Sequence, residues 1–130
     1  MTQEAIGAAA REYKPLLDDM RRAMEQYLGD QVLWLPRQDT AVTDRSRTDE
    51  RQVIRVGPDF GRGVLLAMVD PVRLTEIVNA VLARHDFPPQ EPMTGSESGH
   101  LHCSSRDGSM AEVQFWLKGD VEYWVDVPVR

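Results

Sequence analysis

The alternation of apolar and polar positions divides the chain into recognisable segments. From residue 2 to 28, Ile6, Ala10, Tyr13, Leu17, Met20, Met24 and Tyr27 recur at spacings of four and three. That spacing puts them on one stripe of a long amphipathic helix. Pro15 interrupts the pattern. It lacks an N–H and clashes with the carbonyl four residues back, which predicts a kink near Arg11 or a helix start near Pro15. Gly29 fits the left-handed position that closes a helix. Gln31 to Pro36 reads as a short strand ended by proline. Residues 37–51 (Arg37 to Arg51) are polar and without period, the pattern of a mobile loop. Gln52 to Val56 resembles a strand, and Gly57 to Gly63 (GPDFGRG) a glycine-rich turn.

Val64 to Val69 (VLLAMV) is an unbroken apolar run, which predicts a central strand covered on both faces. Asp70 and Pro71 then form a helix start, with Asp as N-cap and Pro at the first helical position. Leu74, Ile77, Val78, Val81 and Leu82 supply that helix's buried stripe. It ends near His85, a cation suited to the negative end of the dipole, before Pro88 and Pro89. Leu101–Ser105, Met110–Leu117 and Val121–Val127 read as three strands of a meander. The order α-β-β-β-α-β-β-β predicts one α+β domain over residues 1–130. Its antiparallel sheet has about five to six strands, with a long N-terminal helix and a second helix packed on it.

Hairpin geometry sets which way the side chains face. A three-residue loop at Arg106-Asp107-Gly108, with Gly108 left-handed, pairs Ser105 with Ser109 and Leu101 with Val113. A two-residue Asp107-Gly108 turn competes with it, but drives His100 and His102 onto the core face. In the second hairpin, Lys118-Gly119-Asp120 sets Leu117 against Val121, Phe115 against Tyr123 and Val113 against Val125. Cys103 then points inward. The opposite face carries His102, Glu112 and Asp126 in one row, His100, Gln114 and Trp124 in the next, and Trp116 with Glu122 beyond. Either a helix covers Trp116 and Trp124 or they are exposed.

Composition narrows the chemistry. The net charge is −6. From Asp86 onward there are eight acidic residues against three basic ones, and before it thirteen against twelve. An acidic C-terminal third argues against nucleic acid, whose phosphates it repels, and suits a basic protein partner such as a toxin domain. The single cysteine rules out an internal disulfide and a cysteine-based zinc site. His100 and His102, with Glu112 as a third ligand, fall short of a zinc set, so no metal is expected. A Cys103–His102 dyad fails because the two side chains leave opposite sides of the strand. Gly57 to Gly63 lacks the phosphate-loop pattern. No cofactor and no enzymatic activity are expected. No apolar run reaches the roughly 20 residues of a membrane span, and no signal peptide is visible at the start. As the sequence stands, that points to the cytoplasm. Oligomeric state is left open.

Three stretches, REYKPLLDDMRRAM (Arg11–Met24), VDPVRLTEIVNAVLARHDF (Val69–Phe87) and SSRDGSMAEVQFW (Ser104–Trp116), resemble the LppA-type family of small actinobacterial lipoproteins. The resemblance implies a cell-envelope setting, given an upstream signal and lipobox, and binding of a small ligand or envelope component without enzymatic chemistry. The residues themselves favour a protein-binding domain, an immunity or inhibitor protein that neutralises a toxin. Its expected contact face comprises Trp116, Trp124, Glu112, Glu122, Asp126, His100, His102 and Gln114. A His- or metal-dependent enzyme is the third reading.

Overall fold

The computed structural model describes residues 3–44, 52–93 and 100–129. Two helices, α1 (Gln3–Leu28) and α2 (Pro71–Arg84), accompany six strands: β1 (Leu33–Trp34), β2 (Ala41–Asp44), β3 (Gln52–Arg62), β4 (Leu101–Arg106), β5 (Glu112–Leu117) and β6 (Asp120–Pro128). The strands form one antiparallel sheet in the order β1-β3-β6-β5-β4, with β2 also paired to β3. This is the expected α+β class.

α1 runs through Pro15 as one helix, contrary to a start at that residue. Pro15 lies on the exposed side, where water can take the carbonyl that proline leaves unpaired. The buried stripe is Ala9, Tyr13, Leu16, Leu17, Met20, Met24 and Leu28, rotated slightly from the expected one. Gly29 closes the helix at φ 77°, and its N–H donates to the Glu25 carbonyl at 3.1 Å. Asp70 caps α2 by accepting from the Val72 and Arg73 N–H groups, with Pro71 following it. At the far end of α2, His85 Nε2 lies 2.6 Å from Asp19 Oδ2 of α1. That hydrogen bond, with Arg22 beside it, holds the Asp19 carboxyl below the usual carboxylate range.

Both helices pack on one side of the sheet. Their stripes share a single core with Val56, Val113, Phe115, Leu117, Val121, Tyr123 and Val125. Among the described residues, neither helix lies on the other side.

Four expectations are corrected. First, GPDFGRG is no turn. β3 continues through Gly57-Pro58, where a bulge shifts the register between Val56 and Asp59. The extra residue swaps the faces, so Asp59 points to the helix side. There it is 1% exposed and clamped by Arg37 at 2.6 and 2.9 Å. Second, VLLAMV is no strand. Gly63 turns the chain at φ 89°, Val64 is buried in the core with Leu66 and Val69 packed partly against it, and Leu66–Met68 make one turn of 3₁₀ helix. Third, the span 37–51 holds strand β2 at its centre, paired from Ala41↔Arg55 to Asp44↔Gln52. Ahead of β2, Arg37 and Gln38 are bonded to Asp59 and to the Pro58 carbonyl, and residues 45–51 of that expected mobile loop lie outside the described residues.

Fourth, the β4–β5 register is shifted. Ser105 pairs with Val113, Cys103 with Phe115 and Leu101 with Leu117. The loop has five residues, and Asp107 organises it. Asp107 N–H donates to the Ala111 carbonyl at 3.0 Å, and its Oδ1 accepts from the Ser109 and Ala111 N–H groups. Tyr13 of α1 donates its hydroxyl to Oδ2 at 2.8 Å. The left-handed residue is Met110, at φ 67°, rather than Gly108. The shift is even, so each β4 side chain keeps its expected face. The β5–β6 hairpin has the expected register throughout.

Candidate functional site

The helix-free face is built from alternate residues of β3, β6, β5 and β4. One row runs Arg106, Glu112, Asp126, Arg55. The next holds Ser104, Gln114 and Trp124, and the third His102, Trp116, Glu122 and Phe60. The expected His102–Glu112–Asp126 row is therefore corrected: Glu112 and Asp126 are neighbours, but Arg106 takes the place opposite Glu112.

That change alters the chemistry. Arg106 Nε donates to Glu112 Oε2 at 2.6 Å. Arg55 holds Asp126 with both prongs, Nε to Oδ1 at 2.8 Å and Nη2 to Oδ2 at 3.0 Å. The Arg55 guanidinium lies 4.8 Å above the Trp124 ring centre, and the Trp124 indole N–H reaches Asp126 Oδ2 at 3.2 Å. Charge, ring face and indole donor thus meet at one carboxylate. Glu112 and Asp126 are only 9% and 4% exposed, on a face that no described helix covers. Burial here comes from neighbours on the same surface.

The histidine side of the face is linked in the same way. Gln114 Nε2 donates to Glu112 Oε1. Its carbonyl oxygen therefore faces His102 Nε2, 2.7 Å away, and the proton sits on that nitrogen. The His102 ring stacks on Trp116 with centroids 3.8 Å apart, and His100 lies 5.3 Å from the same indole. A hydrogen-bonded chain thus joins His102 to Arg106 through Gln114 and Glu112. Trp116 and Trp124 are half-buried, not covered.

The face is not acidic, which corrects the expectation of a negative surface. Arg55, Arg62, Lys118 and Arg106 stand among Glu112, Glu122, Asp120 and Asp126 on the same side of the strands. Glu122 is the least compensated. Burial, with Asp120 nearby, raises its carboxyl above the ordinary range, and Arg55 opposes the rise.

Among the described residues, no three His, Cys, Asp or Glu side chains are grouped to hold a metal ion. Cys103 is buried on the helix side, and burial pushes its thiol up to about 12. It is a protonated packing group at neutral pH, far from a thiolate nucleophile. No described helix is long and apolar enough to cross a membrane.

Sequence reasoning missed Arg55 and Arg106. The alternation of Ile54 and Val56 around Arg55 was the available signal, since it sends Arg55 to the face opposite its neighbours. A scan against protein-family models, a search of curated proteins and a search of solved structures each found no match to this chain. The likeness to LppA-type lipoproteins therefore rests on the sequence stretches alone.

Proposed function

We propose that this chain is a non-enzymatic protein-binding domain that takes a basic protein partner on the helix-free face. In concrete form it is an immunity or inhibitor protein that occludes a toxin. One observation carries the reading: the face is locked before any partner arrives. Two carboxylates are desolvated and fully engaged by Arg55, Arg106, Gln114 and Trp124. Fixed side chains lose little conformational entropy on binding. Half-buried tryptophans, Trp124 under Arg55 and Trp116 against His102, are residue types that anchor interfaces. The net charge of −6 steers a basic partner toward the chain. Because Glu112 and Asp126 are already paired, that steering belongs to the whole molecule. Trp116, Trp124, His100, His102 and Gln114 supply the contact, and Glu122 is the acid left for the partner.

The test is calorimetric titration with the product of the adjacent gene. Replacing Trp116 and Trp124 together by alanine should weaken binding by about 2–4 kcal/mol. Unchanged binding by a folded double variant sinks this face as the contact.

A second reading, an LppA-like envelope domain for a small weakly polar ligand, has one observation in its favour. A groove of about 330 Å³ lies between α1 and the end of β6, lined by Ala5, Ala8, Ala9, Ile54, Val127 and Pro128 among others. Genomic sequence upstream of the gene decides: a signal and lipobox favour it, and their absence there removes it.

A further inference from the structure

We infer that Glu122 receives an arginine side chain of the partner, whose guanidinium closes on the carboxylate between Trp116 and Phe60. This assignment rests on the helix-free face being the contact surface, and it names the chemistry which that face selects. Three carboxylates on the face are drawn out of water, and the chain supplies an arginine to two of them. Arg55 holds Asp126 at 2.8 and 3.0 Å and lies over Trp124. Arg106 Nε donates to Glu112 at 2.6 Å. Glu122 is the third. It is half-buried on β6, directly opposite Trp116 of β5 on one side and Phe60 of β3 on the other. Cross-strand partners stand about 4.5–5.5 Å apart at Cβ, so an aromatic side chain flanks Glu122 on either hand. Trp124 follows two residues along β6, on the same face.

The position repeats the setting of Asp126, a carboxylate beside an indole, without a guanidinium from this chain. Among the described residues, no side chain hydrogen-bonds or ion-pairs with Glu122. The neighbouring cations are placed elsewhere. Arg55 is committed to Asp126. Arg62, opposite Asp120, is exposed and lies 5.9 Å from the Phe60 ring centre. Lys118 is exposed at the β5–β6 turn. Asp120, two residues before Glu122 on the same face, adds a like charge. Burial and Asp120 together keep the Glu122 carboxyl above its ordinary range, against the pull of Arg55. The free chain thus carries this charge at a cost that an incoming cation removes.

Two features select arginine among cations. A guanidinium is planar and weakly hydrated, so it enters a place flanked by rings at a lower desolvation cost than an ammonium does. Its fork also matches a carboxylate with two parallel bonds, the arrangement that Arg55 makes with Asp126 on this same face. The receiving side is fixed in advance, since His102 stacks on Trp116 at 3.8 Å and holds that indole in place. The net charge of −6 favours the approach of a basic partner.

Two experiments on the full chain test the assignment. In the first, Glu122→Gln keeps the shape of the side chain, removes its charge, and is titrated calorimetrically with the product of the adjacent gene. Affinity should fall at least about thirtyfold, as when one member of a desolvated charge pair is lost, in a variant that melts no earlier than wild type. If the Trp116→Ala, Trp124→Ala double variant binds weakly while Glu122→Gln binds as wild type does, the face is the contact but the arginine assignment is overturned. If neither variant weakens binding, the face itself is wrong and the assignment falls with it. The second experiment needs no partner. Ethylguanidinium chloride is added at constant ionic strength in the millimolar range, where a single contact of this kind binds, and the Trp116 indole N–H and Glu122 amide signals are followed by NMR. They should move along a saturating curve in wild type, several-fold less in Glu122→Gln, and less with butylammonium chloride. Equal shifts in wild type and Glu122→Gln, or butylammonium matching ethylguanidinium, would overturn the assignment.

Discussion

One sheet presents two faces that become buried in different ways. On the helix side, Phe115, Tyr123 and Val125 are dry because α1 and α2 lie on them. On the other side, Glu112 and Asp126 are nearly as buried with no described helix above them. There, arginines, a glutamine and an indole close over the carboxylates. The first face gains stability from apolar area removed from water. The second gains order, since ion pairs of this kind add little net stability but are costly to break. A face that is rigid but uncovered is what a binding surface requires.

Substitutions should separate the two. The largest effect belongs to the helix side: Phe115→Ala should cost about 3–5 kcal/mol in chemical denaturation, through lost transfer energy and a cavity. A smaller loss would mean the core can collapse around the gap. Next comes Asp126→Asn, which removes the charge that Arg55 embraces with both nitrogens. It should cost about 1–3 kcal/mol, and a neutral result would show that the pair is not desolvated.

The smallest effect is a gain. Because the Glu122 carboxyl is raised by burial and by Asp120, the folded state holds that proton more tightly than the unfolded chain does. Stability therefore falls as pH rises from the ordinary glutamate value of 4.5 through the raised one. At neutral pH the charged Glu122 is a cost, reduced by solvent screening. Glu122→Gln should add about 0.5 kcal/mol or less at pH 7, and the gain should vanish below the ordinary value. A loss at pH 7 would mean that Glu122 has a favourable partner.

The same contrast explains what could be read from the chain. In β5 and β6 strict alternation and a short turn around Gly119 determine the pairing, and Phe115↔Tyr123 follows from local sequence. In β4 and β5 the register depends on Asp107, and Tyr13 reaches it from 94 residues away. No local pattern reports that bond. Only the even size of the shift preserved the inward Cys103 and outward His102. The Arg55–Asp126 pair joins positions 71 apart, so it exists only once β3 lies beside β6. VLLAMV misleads for another reason: apolar composition reports a need for burial, but not whether this chain's own core meets it.

The tryptophans allow the two faces to be watched at once. Trp34 lies on the helix side, edge-on to Tyr123 and beneath Arg21 of α1, while Trp116 and Trp124 lie on the helix-free face. The decisive measurement is an NMR titration of nitrogen-15-labelled protein with the adjacent gene's product, read at the three indole N–H signals. The Trp116 and Trp124 signals should shift or broaden on complex formation, with Trp34 unmoved. A complex that perturbs Trp34 and leaves the other two in place would contradict the account.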